Sequence, residues 1–106
     1  MAQINTPEPG IIALAGEIDL HESPQIKEAM QPLIAQKLPR LLVDMSGVTY
    51  IDSSGLALFI EAMQRVQAYG GLFGLFGLRP SVRTIFEIAR LDQVFRLFPD
   101  RAAALA

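Results

Sequence analysis

The 106-residue chain has no cysteine, which excludes disulfides and thiolate zinc sites and points to a reducing compartment. Histidine occurs once, as His21, so neither a multi-histidine metal site nor a histidine relay can be built. A lone polar side chain of this kind is expected on an exposed loop. Basic residues do not cluster: nine Lys and Arg are scattered among eleven Asp and Glu, for a net charge of −2. Nucleic-acid binding normally needs a gathered basic surface, so no direct contact with nucleic acid is expected. No apolar run approaches the ~20 residues of a spanning helix, and no basic segment leading into a long apolar run opens the sequence. The expectation is a soluble cytoplasmic protein with no membrane insertion.

Catalytic signatures are missing as well. Gly71, Gly74 and Gly77 recur every third residue, which matches neither the dinucleotide fingerprint nor the phosphate loop, and there is no Gly-Lys-Ser/Thr. A nucleophile elbow needs Gly two residues before its Ser, whereas Ile51 and Asp52 hold those positions for Ser53 and Ser54. Asp44 lies near a strand end, where a receiver domain carries its phosphoacceptor. Such a domain also needs an acidic pair after its first strand and a late lysine, and the last lysine here is Lys37. Asp44 is instead expected to bond to a Ser46-Gly47 turn. No catalytic residue, metal ligand or cofactor is expected.

What is present suffices for a core: 51% of residues are apolar, ample for one domain spanning 1–106. The most informative stretch is RLLVDMSGVTYIDSSGLALFI, residues 40–60. It reads as a buried strand (Leu41, Leu42, Val43), a Ser46-Gly47 turn, a second short apolar run over 48–51, and then Asp52-Ser53-Ser54-Gly55 opening an amphipathic helix. Leu56, Phe59, Ile60, Met63 and Val66 follow helical spacing on its apolar side. Asp and Ser satisfy the free N–H groups of a helix start, and the positive end of the helix dipole there favours a phosphate.

In chain order, residues 3–5 predict an edge strand. Pro7-Glu8-Pro9-Gly10 predicts a turn and residues 11–15 a returning strand buried on both faces. Ser23-Pro24 reads as N-cap and first helical residue, with Ile26, Met30, Leu33 and Ile34 as the apolar stripe. Pro32 predicts a kink or restart, because an interior proline loses a hydrogen bond and costs ~3 kcal/mol. Tyr69-Gly70-Gly71 predicts a left-handed helix end, and 72–78 a third buried strand. Pro80 opens a helix with Val82, Ile85, Phe86 and Ala89 as its stripe. Residues 94–98 predict a closing edge strand, and the alanine-rich tail after Pro99-Asp100 a short helix. A hairpin followed by alternating strands and helices implies an α/β fold, a mixed sheet of four to five strands packed with helices.

Taken together, GEIDLHESPQI, VDMSGVTYIDSSGLALF, the Gly-Gly turn and RPSVRTIFEIARLDQVF resemble the STAS domain of anti-sigma factor antagonists. The resemblance covers nearly the whole chain; Ala57 stands where many members have Gly. It implies a protein without catalytic activity of its own, which regulates transcription by partner switching. Its unphosphorylated form would bind an anti-sigma factor that is also a serine kinase, freeing a sigma factor. Phosphorylation would end the binding, and a serine phosphatase would reset it. By resemblance the acceptor is the first Ser of the Asp-Ser-Ser-Gly motif, Ser53, and Asp19 lies close by. Asp19, Asp52, Ser54, Gly55 and Leu56 are the expected partner-binding residues, with Ser54 also a structural cap. For Gly55 two roles stand side by side, close approach of a partner backbone or service to the tight turn alone. The alternative within the same fold is a subunit of a lipid or anion transport complex.

Overall fold

A computed structural model of the chain describes residues 2–106. Two strands, β1 (Gln3–Glu8) and β2 (Ile11–Ile18), open it as an antiparallel hairpin, followed by α1 (Ser23–Ala35) and β3 (Arg40–Ile51). Next come α2 (Ser53–Ala68), β4 (Leu72–Phe76), α3 (Pro80–Ile88), a 3-10 turn Leu91–Gln93, β5 (Arg96–Phe98) and α4 (Arg101–Leu105). The five strands form one sheet in the order β1-β2-β3-β4-β5, parallel from β2 to β5. This is the expected mixed sheet covered by helices.

Side chains alternate across a strand, and the strands here sort cleanly. Ile12, Leu14, Leu41, Val43, Met45, Phe73 and Leu75 meet the apolar stripes of α1, α2 and α3 in one core. Ile11, Leu42 and Phe76 point to the other face, where Ala104 of α4 covers them. Alpha-helix α4 is pinned by Asp100, whose carboxylate accepts from the Ala103 N–H, by an Arg101–Glu8 ion pair, and by Arg40 donating to the Leu105 carbonyl.

Several boundaries differ from the sequence expectation. Strand β1 runs through Pro7 to Glu8, so the turn is only Pro9-Gly10, with Gly10 at φ 85°; Pro7 is tolerated because an edge strand leaves N–H groups unpaired. Ser46-Gly47 is not a turn: β3 is one strand of 12 residues, whose register against β2 shifts between Ala13 and Ala15 and again between Gly16 and Glu17. The Asp44 carboxylate accepts from the Ser46 N–H (2.9 Å) and hydroxyl (2.7 Å) at the first irregularity. Helix α1 passes through Pro32 as one element, and its N-cap is Glu22, not Ser23. On α3, Val82 and Phe86 are buried and Ile85 half-buried, but Ala89 is exposed at the C-cap. Strand β5 begins only at Arg96, because residues 91–93 turn first.

Candidate functional site

Parallel pairing of β2 with β3 sets Ile18 beside Ile51 at the carboxyl ends of both strands. The residues that follow, Asp19 and Asp52, therefore leave the sheet side by side, the usual place for a site in an open α/β sheet. The Asp52 N–H donates to the Ile18 carbonyl (3.1 Å).

The Asp52 carboxylate then serves two elements. Its Oδ1 accepts from the N–H groups of Ser54 (2.9 Å) and Gly55 (3.2 Å), capping α2. Its Oδ2 accepts from the Leu20 N–H (3.1 Å) and so ties the β2–α1 loop to the start of α2. Asp19 organises the same loop: its Oδ1 accepts from the Glu22 N–H (3.0 Å), and its carbonyl accepts from the Ser23 hydroxyl (2.7 Å). Two aspartates thus fix the backbone on both sides of one cleft, also lined by Leu20, His21 and Pro24.

Ser53 is the first residue of α2 and is exposed. Because Asp52 makes the cap, the Ser53 hydroxyl stands outside the capping scheme and open to solvent. That overturns one expected role: the structural cap is Asp52, not Ser54, since the cap must come from the non-helical residue preceding the first turn. Ser54 is half-buried one position further on.

Of the two roles left open for Gly55, its surroundings fit the internal one. Gly55 is buried, and a Cβ placed there would lie 2.7 Å from Ile51 Cγ1, 2.8 Å from Ile18 Cγ2 and 3.1 Å from the Ile18 carbonyl oxygen. The missing side chain lets α2 start directly on the ends of β2 and β3, an internal close approach. Leu56 is partly buried against the core, leaving only part of its surface to a visitor. His21 is exposed, as anticipated.

Sequence reasoning passed over Leu20, whose side chain is 73% exposed although its backbone is bonded. Its only signal was a single apolar residue between Asp19 and His21. Among the described residues no group of three or more His, Asp or Glu is placed to hold a metal ion, and no helix is long and apolar enough to cross a membrane.

A family model for the STAS domain matches residues 2–104. The chain belongs to the STAS domain family. The anti-sigma-B factor antagonist of Listeria monocytogenes is 33% identical over 81% of this chain and 75% of its own length. The Bacillus subtilis protein of the same name is 31% identical over 78% of this chain and 75% of its own length. Among solved structures, an anti-sigma factor antagonist from Mycobacterium paratuberculosis superposes with a TM-score of 0.85 at 26% identity, covering 99% of this chain and 90% of that one. Within the STAS fold the cleft between the β2–α1 loop and the start of α2 is the place where chemistry-bearing side chains converge.

Proposed function

We propose that this STAS domain, spanning residues 1–106, is an anti-sigma factor antagonist. Its docking to an anti-sigma factor kinase is switched off by phosphorylation of Ser53 and restored by a serine phosphatase. The observation that carries this reading is the division of labour at the start of α2: Asp52 takes the helix N–H groups, which frees an exposed hydroxyl for modification. The relatives named anti-sigma-B factor antagonists support the partner class. The chain itself acts by binding in the cytoplasm and supplies no catalytic group, cofactor or metal; the chemistry belongs to the kinase and the phosphatase. Asp19 and Asp52 shape the surface the partner reads, Ser54 and the exposed part of Leu56 contribute edges to it, and Gly55 serves from beneath by setting the helix position.

The test is a pull-down with the purified chain, run without and then with ATP, followed by mass spectrometry of residues 40–65. Expected are recovery of an anti-sigma factor without ATP, its release with ATP, and phosphate on Ser53. Ser53→Ala should block incorporation and keep binding, and Ser53→Asp should weaken binding. Phosphate incorporation that persists in Ser53→Ala would reject the site, and recovery of a transporter ATPase instead of a kinase would reject the sigma-factor role.

A further inference from the structure

A leucine that is 73% exposed is ordinary on a mobile loop, but Leu20 is held on both sides. Its N–H is bonded to Asp52 and the adjacent backbone is bonded to Asp19. A fixed, protruding apolar side chain beside a functional site is the usual mark of a contact surface. Leu20 forms one wall of a groove of about 290 Å³ between α1 and α2, whose other apolar walls are Pro24, Ala57 and Leu58. The Lys27–Glu61 ion pair (3.3 Å) joins the two helices along the same groove.

Two observations identify the occupant. The groove is continuous with the acceptor, because Ala57 lies four residues after Ser53 on α2, just over one helical turn or ~6 Å along its axis. A protein large enough to cover Ser53 covers the groove as well. The adjoining cleft, which shares Leu20 and Pro24 with the groove, is acidic: Asp19 and Asp52 line it, and among the described residues neither has an ion-pair partner. A second copy of the chain would set these carboxylates against their own kind, and an anionic lipid surface would be repelled.

We infer that the α1–α2 groove is the apolar half of the docking surface, receiving a hydrophobic side chain that the anti-sigma factor kinase presents. The inference rests on the proposed function and adds the residues that would carry affinity. Ser53 is the gate, and Leu20, Ala57 and Leu58 form the seat.

The experiment titrates the unphosphorylated chain against the purified kinase recovered by the Ser53→Ala chain, using calorimetry. Ala57→Trp fills the groove from an exposed helix position, and Leu20→Ser removes the protruding wall while keeping its backbone bond. Val94→Ser is the control, an exposed apolar residue preceding the amino end of β5 and so at the opposite end of the parallel strands from Ser53. Ala57→Trp and Leu20→Ser should each weaken binding by roughly tenfold or more, with Val94→Ser within about twofold of the parent. If Ala57→Trp melts early, Leu20→Ser decides, since its side chain contributes little to the fold. Parent-like binding by the groove variants, with Ser53→Asp still weakened, overturns the groove and leaves the proposed function standing. A parent chain that binds no anti-sigma factor kinase overturns both.

Discussion

Replacing Gly55 with alanine sets two effects of opposite sign against each other. In a helix interior alanine is favoured over glycine by about 1 kcal/mol, and less in the first turn, where the helix is incompletely formed. Against this, the added Cβ would sit 2.7 Å and 2.8 Å from the γ-carbons of Ile51 and Ile18 and 3.1 Å from a backbone carbonyl oxygen. Both isoleucines are essentially fully buried, and the carbonyl oxygen accepts the Asp52 N–H, so none of the three can yield cheaply. Overpacking of this kind costs about 1–3 kcal/mol, and the rigidity of the neighbours places it in the upper part of that range. The net expectation for Gly55→Ala is a destabilisation of roughly 1–2 kcal/mol, read as a lower urea midpoint at unchanged m-value and a melting temperature reduced by some 4–8 °C per kcal/mol. Moving α2 away from β2 should also lengthen the Leu20–Asp52 bond, visible as faster exchange of the Leu20 amide. A variant as stable as the parent, or more so, refutes the reasoning and shows that helix propensity outweighs the close approach.

Three further outcomes follow from the same site and its surroundings. Asp52→Ala removes a carboxylate that accepts from Ser54, Gly55 and Leu20 and should cost about 1–2 kcal/mol in urea denaturation, while Asp52→Asn, which keeps a capping oxygen, recovers most of it; equal losses would contradict the capping role. Ser53→Asp should leave the melting temperature unchanged or slightly raised, because a carboxylate at the helix start gains about 0.3–1 kcal/mol from the dipole; a clear drop would mean that a charge there disturbs the fold. The Tyr69 hydroxyl donates to the Leu38 carbonyl (2.8 Å), and burial raises its pKa above 10.0. Since the folded state holds that proton more tightly, the associated stability is intact below the unfolded pKa and is lost as pH rises through the folded one. Tyr69→Phe should therefore cost about 1 kcal/mol near neutrality and show a shallower decline of melting temperature above about pH 10 than the parent; parallel declines would refute it.

Local chemistry was legible in the sequence, and long-range pairing was not. The hairpin, the alternation of strands and helices, and the glycine end of α2 at Gly70 (φ 87°) all depend on residues close together in the chain. The Asp52-Ser53-Ser54-Gly55 cluster also announced a helix start, but which side chain caps it depends on a backbone angle: Asp52 is extended at ψ −174°, which reserves the cap for it. Ser46-Gly47 looked like a turn because glycine and serine favour turns. Pairing with β2, interrupted at two places, instead absorbs the irregularity within one strand. The tie between Leu20 and Asp52 spans 32 residues and exists only because parallel pairing ends both strands at the same level. For the same reason Gly55 could not be assigned an internal role until Ile18 was known to lie beneath it.

The charge arrangement at the site determines how a phosphate there can act. Asp52 already satisfies two N–H groups of α2, so a phosphate on Ser53 adds about −1.5 to −2 charge to a helix end that is partly neutralised, and little in the fold needs to change. Its effect then falls on the docking partner, through repulsion or desolvation beside Asp19 and Asp52. A loss of ~3 kcal/mol corresponds to roughly a hundredfold in affinity, enough to exchange one complex for another. The two routes respond differently to salt. Coulomb repulsion between exposed groups is screened as the Debye length contracts from about 10 Å at 0.1 M to about 3 Å at 1 M, whereas a desolvation penalty is not. Because Asp19 and Asp52 are only half-buried and, among the described residues, neither is in an ion pair, the ratio of affinities between the Ser53 parent and its phosphorylated form should shrink several-fold over that range. A ratio that holds constant with salt would show that the phosphate acts by filling space or by being stripped of water at the interface, and the acidic cleft would then have no part in the switch.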